Sequence, residues 1–162
     1  MKENYNSEVE RLKAVVEQLR SPEGCNWDRA QTHSSLKAPC IEEAAEVVAG
    51  INILEMTGNA ENLKEELGDL LLQVVFHAVI AEEEGLFTLE DVARTVNEKM
   101  IRRHPHVFAG VHYETEEELH AAWKAIKQEE KAGREWEAAY LSAALDESEQ
   151  LIEQARARKK KD

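Results

Sequence analysis

Acidic side chains are so frequent in this sequence that any one glutamate reads first as solvated surface. The informative ones are set in apolar helix. From Leu67 to Ile80 the polar positions are Asp69, Gln73 and His77. They lie four apart and share one helical stripe, which Glu66 extends three residues before Asp69. Every other direction around that segment is apolar, which predicts a helix buried nearly all round. A lone carboxylate there would be costly and would sooner take up a proton than stay charged. The segment from Ile41 to Ile51 repeats the pattern. Ile41, Ala44, Ala45 and Val48 form one face. Glu43, Glu46 and Gly50 form the other, flanked by Val47 and Leu54, with Glu42 one turn before Glu46. The alanines and Gly50 leave room for another helix to approach.

The two segments are separated by Thr57-Gly58-Asn59, too short a turn for anything but an antiparallel hairpin. The centre of the Glu43/Glu46 pair lies about 13 residues before Gly58, and that of Glu66/Asp69 about 9 after it. At 1.5 Å per residue the mismatch is about 6 Å, near one turn. Four carboxylates converging in a helical core repel unless cations sit between them. Oxygen-only ligands favour a hard divalent ion, Mg²⁺ first and Mn²⁺ as a substitute. Such an ion keeps waters and binds phosphate, so the matching substrate class is a phosphate ester or anhydride. The alternative is that both pairs face solvent on a charge-laced bundle. A zinc site from His104, His106 and His112 lacks a Cys or Glu at ligand spacing. Cys25 and Cys40 read as small buried hydrophobes, too few for a disulfide scaffold and suited to a reducing compartment.

The elements that must position these groups are helices. No proline occurs between Pro39 and Pro105, and β-branched residues never alternate with polar ones over strand length. A first helix is predicted over about Ser7 to Arg20, then a loop through Cys25 to Asp28 with one turn near Thr32 to Lys37. A second runs from near Pro39 to Thr57, a third from about Ala60 to Glu84. A fourth follows Thr88 to about Arg103, and a fifth spans Glu116 to Lys131 behind a Thr115/Glu118 capping box. A last helix is predicted over Glu135 to Ala157. The 162 residues suit one domain with an appended tail, here 1–133 and 134–162. The basic run from Arg156 to Lys161 reads as a solvated helix end or as a tether to an acidic partner.

A formal charge of −13 opposes nucleic acid and anionic membranes as partners. The first twelve residues carry no apolar signal core, and no window approaches the ~18 apolar residues of a membrane span. The expectation is a cytoplasmic protein.

Glu42-Glu43 with Glu46, then Glu66 with Asp69, resembles the EExxE…ExxD signature of the all-α nucleoside triphosphate pyrophosphohydrolases. The closer likeness is to the MazG type. It is carried by Cys25 to Asp28, Gln31-Thr32-His33, Glu61-Asn62-Leu63, Glu65 to Phe76, Ala81 to Phe87 and Asn97 to Phe108, and spans about residues 8 to 131. The chain departs from the family pattern at Asn26, where proline is usual, and at Pro39-Cys40-Ile41, where a bulkier residue often precedes the Glu pair. The resemblance implies Mg²⁺-dependent hydrolysis of nucleoside triphosphates to monophosphate and pyrophosphate. It implies that Glu43, Glu46, Glu66 and Asp69 hold the metal, with Glu42 and Glu65 orienting water or a second ion. Lys99 and Arg103, with Arg102 between, would meet phosphate, and Trp123 would stack on the base.

Each of these has a plainer reading beside it. Lys99, Arg102 and Arg103 could pair with neighbouring acids, Trp123 could be core, and Trp27 could cover a pocket or pin its loop. The expected architecture is an all-α bundle built on an antiparallel hairpin and completed by a second copy, as a homodimer or tetramer. Two rivals stand beside the house-cleaning reading. One is a relative restricted to phosphoribosyl-ATP or one pyrimidine dNTP, the other a non-catalytic helical adaptor.

Overall fold

The computed structural model describes residues 5–159, and among them every regular element is a helix. The chain divides into two units. The residues up to Leu89, joined by those from Glu147 onward, form the first; Glu90–Asp146 form the second.

In the first unit, Ser7 caps α1 (Glu8–Arg20) by accepting from the Glu10 backbone N–H at 3.1 Å. The predicted loop after it contains a helical turn, α2 (Asn26–Arg29). Carbonyl oxygens on either side of that turn's end are tied to α1: Arg20, 9% exposed, donates to Asp28 O at 2.7 Å and to Gln31 O at 3.1 Å. The same guanidinium pairs with Glu83 at 2.6 Å. One buried cation thus satisfies loop carbonyls and a helix-end carboxylate together, which sequence periodicity does not reveal.

The hairpin comprises α3 (Lys37–Thr57) and α4 (Glu61–Glu83). Gly58 ends α3 with φ at 75°, a conformation that costs glycine nothing. Gly50 is buried, and a Cβ built on it would lie 2.8 Å from Leu63 Cα, so glycine is what lets the two backbones touch. With Gly50 level with Leu63, Glu46 stands level with Leu67 and Glu43 with Leu70. The carboxylate pairs therefore share a height to within about one residue, or ~1.5 Å, closer than the turn-length arithmetic suggests.

The core gathers Val16, Leu36, Val75, Phe76, Val79 and Ile80, so α4 meets α1 through its C-terminal half. The expectation that α4 is buried nearly all round fails toward its N-terminal half. Leu67 is 49% and Leu71 37% exposed. The buried core cluster takes its α4 residues from Val75 onward, so the earlier turns are left without that cover.

In the second unit, α5 (Leu89–Arg103) is followed by a short turn of helix, α6 (Pro105–Phe108), where the sequence suggested only a stop. Thr115 caps α7 (Glu116–Lys131), accepting from Glu118 N at 3.2 Å. Glu118 reaches back to Glu114 N at 2.8 Å rather than to the cap residue itself. Helix α8 (Glu137–Lys159) runs two residues further than predicted, and its residues from Glu147 belong to the first unit. The rest of the basic run, Lys160 and Lys161, lies outside the described residues.

Candidate functional site

The close crossing at Gly50 turns sequence spacing into a site. Glu43 and Glu46 leave α3 one turn apart, Glu66 leaves α4, and one carboxylate oxygen from each lies within 4.8 Å of the others. All three side chains are half-buried. Asp69 stands outside that trio, yet its charge acts on Glu43. Partial burial pushes the Glu43 carboxyl above the usual range, and the negative charges of Asp69, Glu66 and Glu42 push it the same way. Like charges held this close are unfavourable alone and favourable around a cation. The donor set is oxygen only, which fits a hard divalent ion. The cluster can hold a metal.

Asn62, one turn before Glu66, donates to Glu66 Oε1 at 2.8 Å and so fixes the carboxylate. Its role escapes sequence reasoning because an exposed-looking Asn at a helix start reads as capping. Glu42 is half-buried on the shoulder of α3, and Glu65 is exposed. Trp27 on α2 is 64% exposed, its ring free of the core.

Further along the α4 stripe, Gln73 is buried, with no hydrogen-bond partner for Oε1 among the described residues. His77 follows one turn on. Its ring stacks parallel on His33, with Nδ1 to Nδ1 at 2.7 Å, and its Nε2 lies 3.4 Å from Cys40 Sγ. Burial lowers the pKa of His77, helped by the neighbouring imidazole, and burial raises that of Cys40, helped by Glu43. Both shifts favour the uncharged forms, the opposite of what activates a thiol nucleophile.

Within the second unit, Lys99 is half-buried on α5, one turn before Arg103. Arg102 donates to Glu130 Oε1 through Nε at 2.9 Å and Nη2 at 2.6 Å; Arg103 does the same to Oε2. This pairing with an acid is one of the two readings the sequence left open. The hydrogen bonds from Arg103, and then those from Arg102, hold the Glu130 carboxyl down at about 2. Trp123 is 40% exposed, with Lys127 Nζ 4.7 Å from its ring centre. Trp123 also lines a hollow of about 210 Å³ together with Arg103, His104 and His120. Cation and aromatic surface thus meet in one cavity.

Among the described residues no helix is long and apolar enough to cross a membrane. Residues 31–108 match the family described as the MazG nucleotide pyrophosphohydrolase domain. The chain is 54% identical over 127 residues to the nucleoside triphosphate pyrophosphohydrolase/pyrophosphatase MazG of Thermotoga maritima, covering 76% of this chain and 48% of that protein. It is 42% identical over 127 residues to the nucleoside triphosphate pyrophosphohydrolase of Escherichia coli, covering 78% of this chain and 47% of that one. The enzyme of the same description from Mycobacterium tuberculosis is 42% identical over 121 residues, with 74% and 35% covered. The chain spans about half the length, or less, of these relatives.

Proposed function

We propose that this chain, whose residues 31–108 match the MazG nucleotide pyrophosphohydrolase domain, hydrolyses (deoxy)nucleoside triphosphates between the α and β phosphorus. The reading rests on one observation above all: carboxylate oxygens from two helices converge within 4.8 Å at Glu43, Glu46 and Glu66. These three and Asp69 would hold Mg²⁺, with Mn²⁺ as a substitute. The bound ion would neutralise triphosphate charge and make a water more acidic.

The chain's own groups do the rest. Glu42 and Glu65, beside the ligands in the sequence, orient the attacking water or a second ion. Water adds to the α phosphorus, the bond to the bridging oxygen breaks, and pyrophosphate departs with its electron pair. Lys99 and Arg103 offset charge on the leaving group. Glu130, already ion-paired to Arg102 and Arg103, keeps their guanidinium planes fixed before substrate arrives, and preorganised donors cost no reorientation during reaction. Trp123 offers its face to the base, and Trp27 covers the pocket or pins its loop. Residues 1–133 form the catalytic domain and 134–162 an appended tail. The biological role is clearance of unwanted nucleotides from the pool.

A panel of NTPs and dNTPs with Mg²⁺, read for pyrophosphate against orthophosphate, tests the reaction. Pyrophosphate and monophosphate in equal amounts are expected. Orthophosphate as the first product would mean attack at the terminal phosphorus and would end this assignment. One strongly preferred nucleotide would point to a dedicated relative, and no Mg²⁺-dependent release at all to an adaptor.

A further inference from the structure

Two acidic side chains of α3 already have cationic partners within the chain. Arg158 pairs with Glu42 and Lys159 with Glu46, both from the last described turn of α8. Glu46 belongs to the carboxylate trio, and the charge of Lys159 also reaches Glu43. At the other end of this stretch of α8, Glu147 receives Lys37 from the first turn of α3 at 2.9 Å. Between these anchors Ile41, Ala45 and Ala49 of α3 and Ile152 and Ala155 of α8 line an open groove of about 290 Å³. The contact is therefore held largely by charge. Its basic arms are exposed, at 54% for the Arg158 side chain and 61% for Lys159, whereas Glu42 and Glu46 are 25% and 32% exposed. Arg158 and Lys159 lie outside the 31–108 family match, whereas Glu42 and Glu46 lie within it.

We propose that the end of α8 is a built-in latch, in which Lys159 and Arg158 occupy the acidic face of α3 as counter-cations and must leave it when a divalent ion binds. The inference rests on the metal reading of Glu43, Glu46 and Glu66. The physical reason is exclusion. An ammonium and a divalent ion repel each other and compete for the same Glu46 oxygens. Whatever free energy the ion pairs give the closed arrangement is subtracted from metal affinity, and by linkage metal binding releases the helix end. The device also explains how a strongly acidic cluster is tolerated before metal arrives. It merges the two readings of the basic run: the acidic partner is the chain's own helix α3.

The test is Mn²⁺ binding to the full chain without nucleotide, followed by electron paramagnetic resonance at low salt. The double variant Arg158→Gln/Lys159→Gln is expected to bind Mn²⁺ about fivefold more tightly than the parent, the lower range of typical coupling. The gap should close in about 0.5 M salt, where the ion pairs are screened. Arg11→Gln/Arg94→Gln removes the same charge from exposed pairs on α1 and α5 and should leave the constant at the parental value. A second readout is amide hydrogen exchange across residues 147–159 of the parent, which should quicken when Mg²⁺ is added. Equal Mn²⁺ affinity in parent and latch variant, or weaker affinity in the variant, would overturn the latch and leave the metal site standing. A control variant that tightens as much as the latch variant would reduce the effect to net charge and overturn it too. No Mn²⁺ binding by either protein would remove the metal reading and the latch with it.

Discussion

At Glu43 partial burial and neighbouring negative charges act in the same direction. Its carboxyl is pushed up by partial burial and then by Asp69, Glu66 and Glu42. A folded-state pKa above the unfolded one means that the folded protein gains stability from this group as pH falls and loses it as pH rises through the folded value. Glu43→Gln should therefore raise the melting temperature of the metal-free protein while abolishing pyrophosphate release, with helicity by circular dichroism unchanged. A variant that kept full turnover would refute the metal-ligand role. Glu130 has the opposite sign. Held at about 2 by Arg103 and Arg102, it contributes stability above the ordinary carboxylate range, lost as pH falls toward about 2. Thermal melts of the parent and Glu130→Gln should differ clearly near pH ~6 and converge near pH ~2.

Gly50 sets the geometry of the α3–α4 hairpin. Alanine there would gain up to ~1 kcal/mol of helix propensity. Its Cβ would meet the Leu63 backbone at 2.8 Å, however, and backbone does not give way as a flexible side chain tip does. The clash should win, for a net loss of about 1–3 kcal/mol in urea unfolding. The same displacement would part Glu46 from Glu66, so metal affinity should fall along with stability. At Gly68, where a Cβ meets nothing within 4 Å, alanine should be tolerated. The comparison of the two glycines separates helix crossing from propensity.

Across the whole molecule, apolar side chains stay in contact with water on both hairpin helices, among them Val48 at 57%, Ile51 at 40%, Leu67 at 49% and Val74 at 40%. We propose that a second copy covers this surface, as the sequence led us to expect, because contiguous exposed apolar area on a helical hairpin favours self-association. Light scattering coupled to size exclusion should give at least twice the 18.4 kDa chain mass. Val74→Lys should shift it toward one chain mass. A monomer at the outset would overturn the proposal.

Composition, the long proline-free stretch and the punctuation at Gly58 were enough to determine an all-helical chain with a central antiparallel hairpin. Three-residue spacing was enough to nominate the pairs Glu43/Glu46 and Glu66/Asp69, since periodicity alone decides which side chains share a helix face. Tertiary structure alone decided which of those oxygens converge, because convergence depends on the Gly50–Leu63 crossing, a contact between distant residues. It also decided that Arg20 reaches α2 and Glu83, that Arg102 and Arg103 share Glu130, and that Lys159 sits on Glu46. Long basic side chains choose partners by three-dimensional proximity, and in a chain with 33 acidic residues the sequence offers each of them too many.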